Sequence, residues 1–257
     1  MAPRLIGMVH LGPLPGSPGY EGKFEDVLEF ARRDATVLTE SGFDAIMIEN
    51  FGDSPFFADD VPKITVAAMA RAVTAIRSHT GLPLGVNILR NDALSALAVA
   101  ATCGASFIRV NVLSGTMHTD QGTITGRAAD LARMRAAVAP HVEVYADVFV
   151  KHATPPPGST ISLAAADTYR RGGADALILS GTATGAPADL EQFEQVRAAV
   201  PEAPILAGSG VSIETIGGIL EYADGAIVGT SIKVGGVTTA PVDEAKAASF
   251  IKAARDT

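Results

Sequence analysis

The sequence predicts an α/β protein built as a single (β/α)8 barrel, and three observations carry that prediction. Short apolar runs alternate with alanine-rich helical stretches along the whole chain, giving eight strand–helix units. The length of 257 residues matches the usual barrel size of about 250. The apolar runs are continuous rather than alternating, as strands covered on both faces should be. An open doubly wound sheet is the alternative, but its edge strands should read more polar than these. No linker or low-complexity segment interrupts the series, so residues 1–257 are read as one domain.

The first unit is a strand over residues 5–9 and a helix over 24–41, where Val27, Leu28, Ala31, Ala35 and Leu38 recur at helical spacing before Gly42. The second pairs residues 45–48 with 63–80, closed by Gly81. The third pairs 84–88 with 92–103, closed by Gly104, and the fourth joins 107–110 through a polar loop to 127–138. The fifth strand, 142–148, leads through a proline-rich loop to a helix over 161–171. The last three units pair 176–179 with 190–200, 205–207 with 213–222, and 226–228 with 242–254.

Composition narrows the function classes. The formal net charge is -8, which argues against extended contact with nucleic-acid phosphates and against a polybasic membrane anchor. No run approaches the roughly 20 apolar residues that span a bilayer. The N-terminal residues lack the apolar segment of a signal peptide. The single cysteine, Cys103, lies in an apolar helical stretch and reads as a packed thiol, in keeping with a reducing compartment. A cytoplasmic protein with no nucleic-acid partner and no membrane insertion is expected.

In a barrel of this kind the active site lies where the strands end and the loops after them begin. Polar residues crowd there: His10, Glu49-Asn50, Asn87, Arg90-Asn91-Asp92, Arg109, Asn111, Asp147, Lys151-His152 and Ser180-Gly181-Thr182. The opposite ends offer mostly glycine, proline and alanine. Asn91 and Asp92 could simply cap the third helix, Asp53 could shape a turn, and His10 could bond its own loop. Glu49, Arg109 and Asp147 end apolar strands, where an unpaired charge costs several kcal/mol. Either they pair among themselves or they act on substrate, with the carboxylates as acid and base. Lys151 could anchor an anion, act as a general acid or lie in solvent.

Two glycine turns complete the picture. Gly208-Ser209-Gly210 follows the seventh strand and Gly229-Thr230-Ser231 the eighth. Backbone N–H groups at such turns converge on anions, and phosphates in barrels sit after strands seven and eight. Close helix–strand packing would also explain a single such turn, but less readily two, each with hydroxyl neighbours. Lys233 could add charge if it turns inward, or lie at the surface.

These motifs together resemble the BtpA family. The matching segments are Val9-His10-Leu11-Gly12-Pro13-Leu14-Pro15-Gly16-Ser17-Pro18, Glu49-Asn50-Phe51-Gly52-Asp53-Ser54-Pro55-Phe56, Gly85-Val86-Asn87-Ile88-Leu89-Arg90-Asn91-Asp92, Phe107-Ile108-Arg109-Val110-Asn111, Asp147-Val148-Phe149-Val150-Lys151-His152, Gly208-Ser209-Gly210-Val211 and Val228-Gly229-Thr230-Ser231-Ile232-Lys233. Phe149 departs from the pattern, which has a smaller or polar residue there. The resemblance implies a phosphate-binding TIM barrel of the ribulose-phosphate-binding type. It also brings a name tied to photosystem I and membrane-complex biogenesis, which no residue here demonstrates.

The residues themselves favour an enzyme acting on a phosphorylated sugar or nucleoside-like compound, by isomerisation, lysis or glycosidic-bond cleavage. Glu49, Asp147, Lys151 and Arg109 would be catalytic. His10, Asn50, Asn87, Arg90, Asn111, His152 and Thr182 would bind substrate, with Gly208, Ser209, Gly210, Gly229, Thr230 and Ser231 on the phosphate. No cofactor or resident metal is expected, although Glu49 and Asp147 could hold a divalent cation. The competing class is a non-catalytic stability factor for a membrane complex. The alanine-rich outer helices suit a homodimer or higher oligomer as well as simple packing.

Overall fold

Eight parallel strands close into a barrel in the computed structural model, which describes residues 5–181 and 189–256. The strands are β1 (Leu5–His10), β2 (Ala45–Glu49), β3 (Leu84–Asn87), β4 (Phe107–Val110), β7 (Glu143–Val148), β9 (Ala176–Leu179), β10 (Ile205–Ala207) and β11 (Gly225–Val228). They pair in chain order, and β1 closes the ring against β11 with Leu5 opposite Ala226. The helices that follow them are α1 (Phe24–Glu40), α2 (Lys63–Arg77), α3 (Ala93–Cys103), α4 (Ala128–Val138), α5 (Ile161–Ala166), α6 (Leu190–Ala199), α7 (Ile216–Ile219) and α8 (Glu244–Arg255).

Side chains alternate across each strand, so one barrel strand feeds two cores. Ile6, Met8, Ala45, Met47, Phe107, Tyr145, Ala176, Ile178, Leu206 and Ile227 fill the interior. Phe107 and Tyr145 stack there at 4.7 Å, and the Tyr145 hydroxyl donates to Glu143 at 2.7 Å. Leu5, Val9, Ile46, Ile48 and their counterparts on other strands face outward and pack under the helices.

That alternation decides what reaches the mouth. Stepping by two along the inward face, Ile6 and Met8 lead to His10, Ala45 and Met47 to Glu49, Phe107 to Arg109, and Tyr145 to Asp147. Continuing one position beyond the last strands, Ile178 leads to Ser180, Leu206 to Gly208 and Ile227 to Gly229.

The structure departs from the sequence expectation in four places. The polar loop after β4 contains a hairpin, β5 (Thr116–Thr119) and β6 (Gly122–Thr125). With β8 (Ala153–Thr154) from the loop after β7 it forms a three-stranded antiparallel sheet over a small core of Val112, Met117, Ile124 and Val150. Helix α7 is four residues long, because the Thr215 hydroxyl takes the Ser212 N–H at 2.9 Å in a turn and two glycines follow Ile216. The fifth helix widens after Ala166, where the Gly172 N–H reaches back to the Asp167 carbonyl at 2.7 Å.

The bottom of the barrel is also not merely small residues. Asp44, Asp175 and Asp224 each precede a strand and accept an N–H at the start of a neighbouring one, from Leu5, Val144 and Ile205, at 2.8 Å. Each is also held by an arginine, Arg255, Arg135 and Arg197 respectively, at 2.6 to 2.9 Å. Strand ends that would otherwise leave buried donors are thereby satisfied.

Candidate active site

A cavity of about 400 Å3 opens at the mouth of the barrel. Met8 and Ile227 contribute to its lining, which includes the turns at Gly208–Ser212 and Gly229–Ser231. His10, Glu49, Phe51, Arg109 and Lys151 line it as well. The two glycine turns and the charged groups of the earlier strand ends and loops, far apart in sequence, therefore share one space.

Both turns are built for close approach. A Cβ at Gly208 would stand 2.3 Å from Ile178 and 2.6 Å from the Ser180 hydroxyl, and one at Gly229 would stand 2.8 Å from the His10 ring. Gly210 has φ +70, the left-handed conformation glycine adopts without cost. The packing explanation for these glycines thus holds, and it leaves the loop backbone lining the cavity. The Ser209 hydroxyl accepts the Gly181 N–H at 3.1 Å, and Thr230 meets Thr238 at 2.9 Å. The buried Ser231 hydroxyl has no hydrogen-bond partner among the described residues.

Arg109 and Asp147 form a bidentate ion pair, both contacts at 2.8 Å, with side chains 3% and 0% exposed. Burial works against the guanidinium charge, but the Asp147 carboxylate outweighs it and raises the Arg109 pKa. Asn111 donates to the same carboxylate at 3.3 Å, and Asn87 donates to Asn111 at 3.1 Å and to the Arg109 carbonyl at 3.2 Å. The pairing foreseen as the structural alternative is the one that forms, because β4 and β7 are neighbours and β2 is not adjacent to either.

Glu49 is left over. It is 6% exposed, and its carboxylate accepts no hydrogen bond among the described residues. Its Oε1 stands 3.9 Å from the His10 Nε2. Burial raises the Glu49 pKa, opposed by the charges of Arg109 and Lys151. Burial also holds His10 well below the ordinary imidazole value, assisted by the charges of Lys233, Lys151 and Arg109. The neutral imidazole stands edge-on to Phe51 at 5.1 Å, and its Nδ1 has no partner among the described residues. Lys151 is pushed down by burial and by Arg109.

Several candidate residues hold the mouth together instead of facing the cavity. Asn50 accepts the Leu89 N–H at 2.7 Å and donates to Asp53 at 3.0 Å, while Asp53 accepts the Leu14 N–H at 2.8 Å in the turn reading. Arg90 donates to the Lys151 carbonyl. Asn91 brackets Val112, and Asp92 caps α3 through Ser95 while also accepting from Val61. Lys233 is neither at the surface nor at the anion turn: it is fully buried and paired with Asp34 of α1. His152 is exposed and lines neither the 400 Å3 cavity nor the neighbouring one beside Asn111, and Thr182 lies outside the described residues.

Asn111 and Asp147 border a second cavity of about 340 Å3, together with Ser114, Thr160 and Thr168. Phe51, Ser212, Thr215 and Thr238 line the first cavity and were not among the sequence candidates; their place in the loops after β2, β10 and β11 is the signal that could have found them. Among the described residues no group of three or more His, Cys, Asp or Glu side chains is arranged to hold a metal ion. Among them also, no helix is long and apolar enough to cross a membrane.

The BtpA family model matches residues 1–256. An uncharacterised protein of Thermococcus kodakarensis is 47% identical over 98% of this chain and 95% of its own length. The photosystem I biogenesis protein BtpA of Synechocystis is 44% identical over 97% of this chain and 87% of its own length. Among solved structures, phosphoribosyl anthranilate isomerase from Thermus thermophilus superposes with a TM-score of 0.59 at 11% identity, covering 98% of each chain.

Proposed function

The chain belongs to the BtpA family, and from that premise we propose that it is an enzyme acting on a phosphorylated sugar or nucleoside-like small molecule at the barrel mouth. One observation carries the reading: both glycine turns line the same cavity as an unpaired buried carboxylate, a neutral imidazole, the Arg109 guanidinium and the Lys151 amino group. The turns, with the unpartnered Ser231 hydroxyl, form the end suited to a phosphate. Glu49, its pKa raised by burial, is the acid–base group, and His10 is its neighbour for proton transfer or for holding a substrate hydroxyl. Arg109 stabilises negative charge that develops on the substrate, and the Lys151 amino group faces the same space. Asp147 serves by orienting Arg109, and Asn87 and Asn111 steady that pair.

The barrel shared with phosphoribosyl anthranilate isomerase supports the location of a phosphate without assigning a reaction. The name of the Synechocystis relative favours a second reading, a non-catalytic factor for photosystem I biogenesis. A thermal-shift comparison separates the two. Inorganic phosphate and ribose 5-phosphate should raise the melting temperature of the native protein. Gly229→Ala should abolish that shift at a stability cost of about 1–3 kcal/mol, since the new Cβ displaces the His10 ring. No shift with any sugar phosphate or nucleotide, together with specific capture of a membrane protein, would sink the enzyme reading.

A further inference from the structure

We infer that Lys151 is an amine nucleophile, and that the site takes a phosphorylated aldehyde or ketone whose carbonyl carbon condenses with the Lys151 Nζ. This rests on the phosphate reading above and adds the carbonyl class of substrate to it.

The backbone around Lys151 is held while its side chain is not. Phe149 and His152 on either side have φ +53 and +56, the sparsely populated left-handed region for such residues. The Lys151 carbonyl is anchored by Arg90. The side chain instead lines the cavity with Glu49 and the two turns, and its ammonium makes no hydrogen bond or ion pair with the described residues. A lysine kept for charge alone would be expected to close on the unpaired Glu49 carboxylate nearby. Burial and the adjacent Arg109 guanidinium both favour the neutral amine, the form that attacks carbonyls.

The chemistry closes with the groups present. The neutral amine adds to the carbonyl carbon, the N–C bond forms as the C=O π bond breaks, and the oxygen takes the proton of protonated Glu49. Glu49 then recovers a proton from the attached nitrogen and returns it to the hydroxyl, which leaves as water. The products are the iminium on Lys151, ionised Glu49 and one water. A phosphate held at the turns fixes the carbonyl within the same 400 Å3 space.

The test uses pyridoxal 5′-phosphate, a phosphorylated aldehyde, as probe on the native protein, followed by borohydride reduction and peptide mass spectrometry. The expected result is reduced adduct at Lys151 ahead of exposed Lys23, Lys63 and Lys252, suppressed by inorganic phosphate and lost in Lys151→Met. Labelling at Lys151 that phosphate fails to suppress supports the amine and counts against the anion site. Adduct confined to the exposed lysines, with Lys151 unmodified, overturns the inference even where phosphate stabilises the protein. The native-protein comparison stands whether or not Lys151→Met folds.

Discussion

Replacing Lys233 by methionine removes one half of an ion pair in which both side chains are 0% exposed. The Asp34 carboxylate would keep only the Val242 N–H, at 2.8 Å, and would otherwise be a buried charge without a counterion. Breaking such a pair costs about 3–5 kcal/mol. At about 2–4 °C per kcal/mol for a protein near this size, the melting temperature should fall by roughly 6–20 °C. Replacing both residues, as Asp34→Leu with Lys233→Met, leaves one orphaned N–H at Val242 and should cost about 1–3 kcal/mol. The double variant is therefore expected to be more stable than either single one. Urea denaturation followed by circular dichroism on all four proteins measures the cycle. Single variants within about 1 kcal/mol of the native protein, or a double variant as weak as the two losses added, would refute the reasoning.

Two further outcomes follow from the charged strand ends. Glu49→Gln should lower turnover by about 10²-fold or more while raising stability at neutral pH. The sign follows from the raised Glu49 pKa, which gives a contribution present below the ordinary carboxyl range and lost as pH rises through the folded value. The stability gain should accordingly vanish in acid, as read by melting temperature against pH. Asp147→Asn offers Arg109 a single acceptor in place of the bidentate carboxylate and should cost about 3–5 kcal/mol in urea denaturation. A variant of unchanged stability would show that Arg109 finds another partner.

Most of the barrel is legible in the sequence because its signals are local. Continuous apolar runs, helical spacing and closing glycines mark each unit, and the strands over 107–110, 176–179 and 205–207 match β4, β9 and β10. The inward step of two that carries Ile6 and Met8 to His10, or Tyr145 to Asp147, is also readable. So is the partner of Arg109, once strand order is known, since only β3 and β7 flank β4. The small sheet over the mouth is harder, because four-residue strands rich in threonine read as polar loop. The Lys233 partner lies 199 residues away on the outer face of the barrel wall, and nothing local to Lys233 announces it. Asp44, Asp175 and Asp224 beneath the barrel each stand as a single charge in a connecting loop, and no local spacing marks them.

The central claim is that the two turns hold the phosphate of the substrate while Glu49 and Lys151 face its reactive end. A crystal structure with ribose 5-phosphate tests it most directly. The account predicts phosphate oxygens within about 2.7–3.2 Å of donors in both the Gly208–Gly210 and Gly229–Ser231 turns, with the sugar directed towards Glu49. Phosphate bound instead in the cavity beside Ser114 and Thr168, with both turns empty at saturating ligand, would contradict it.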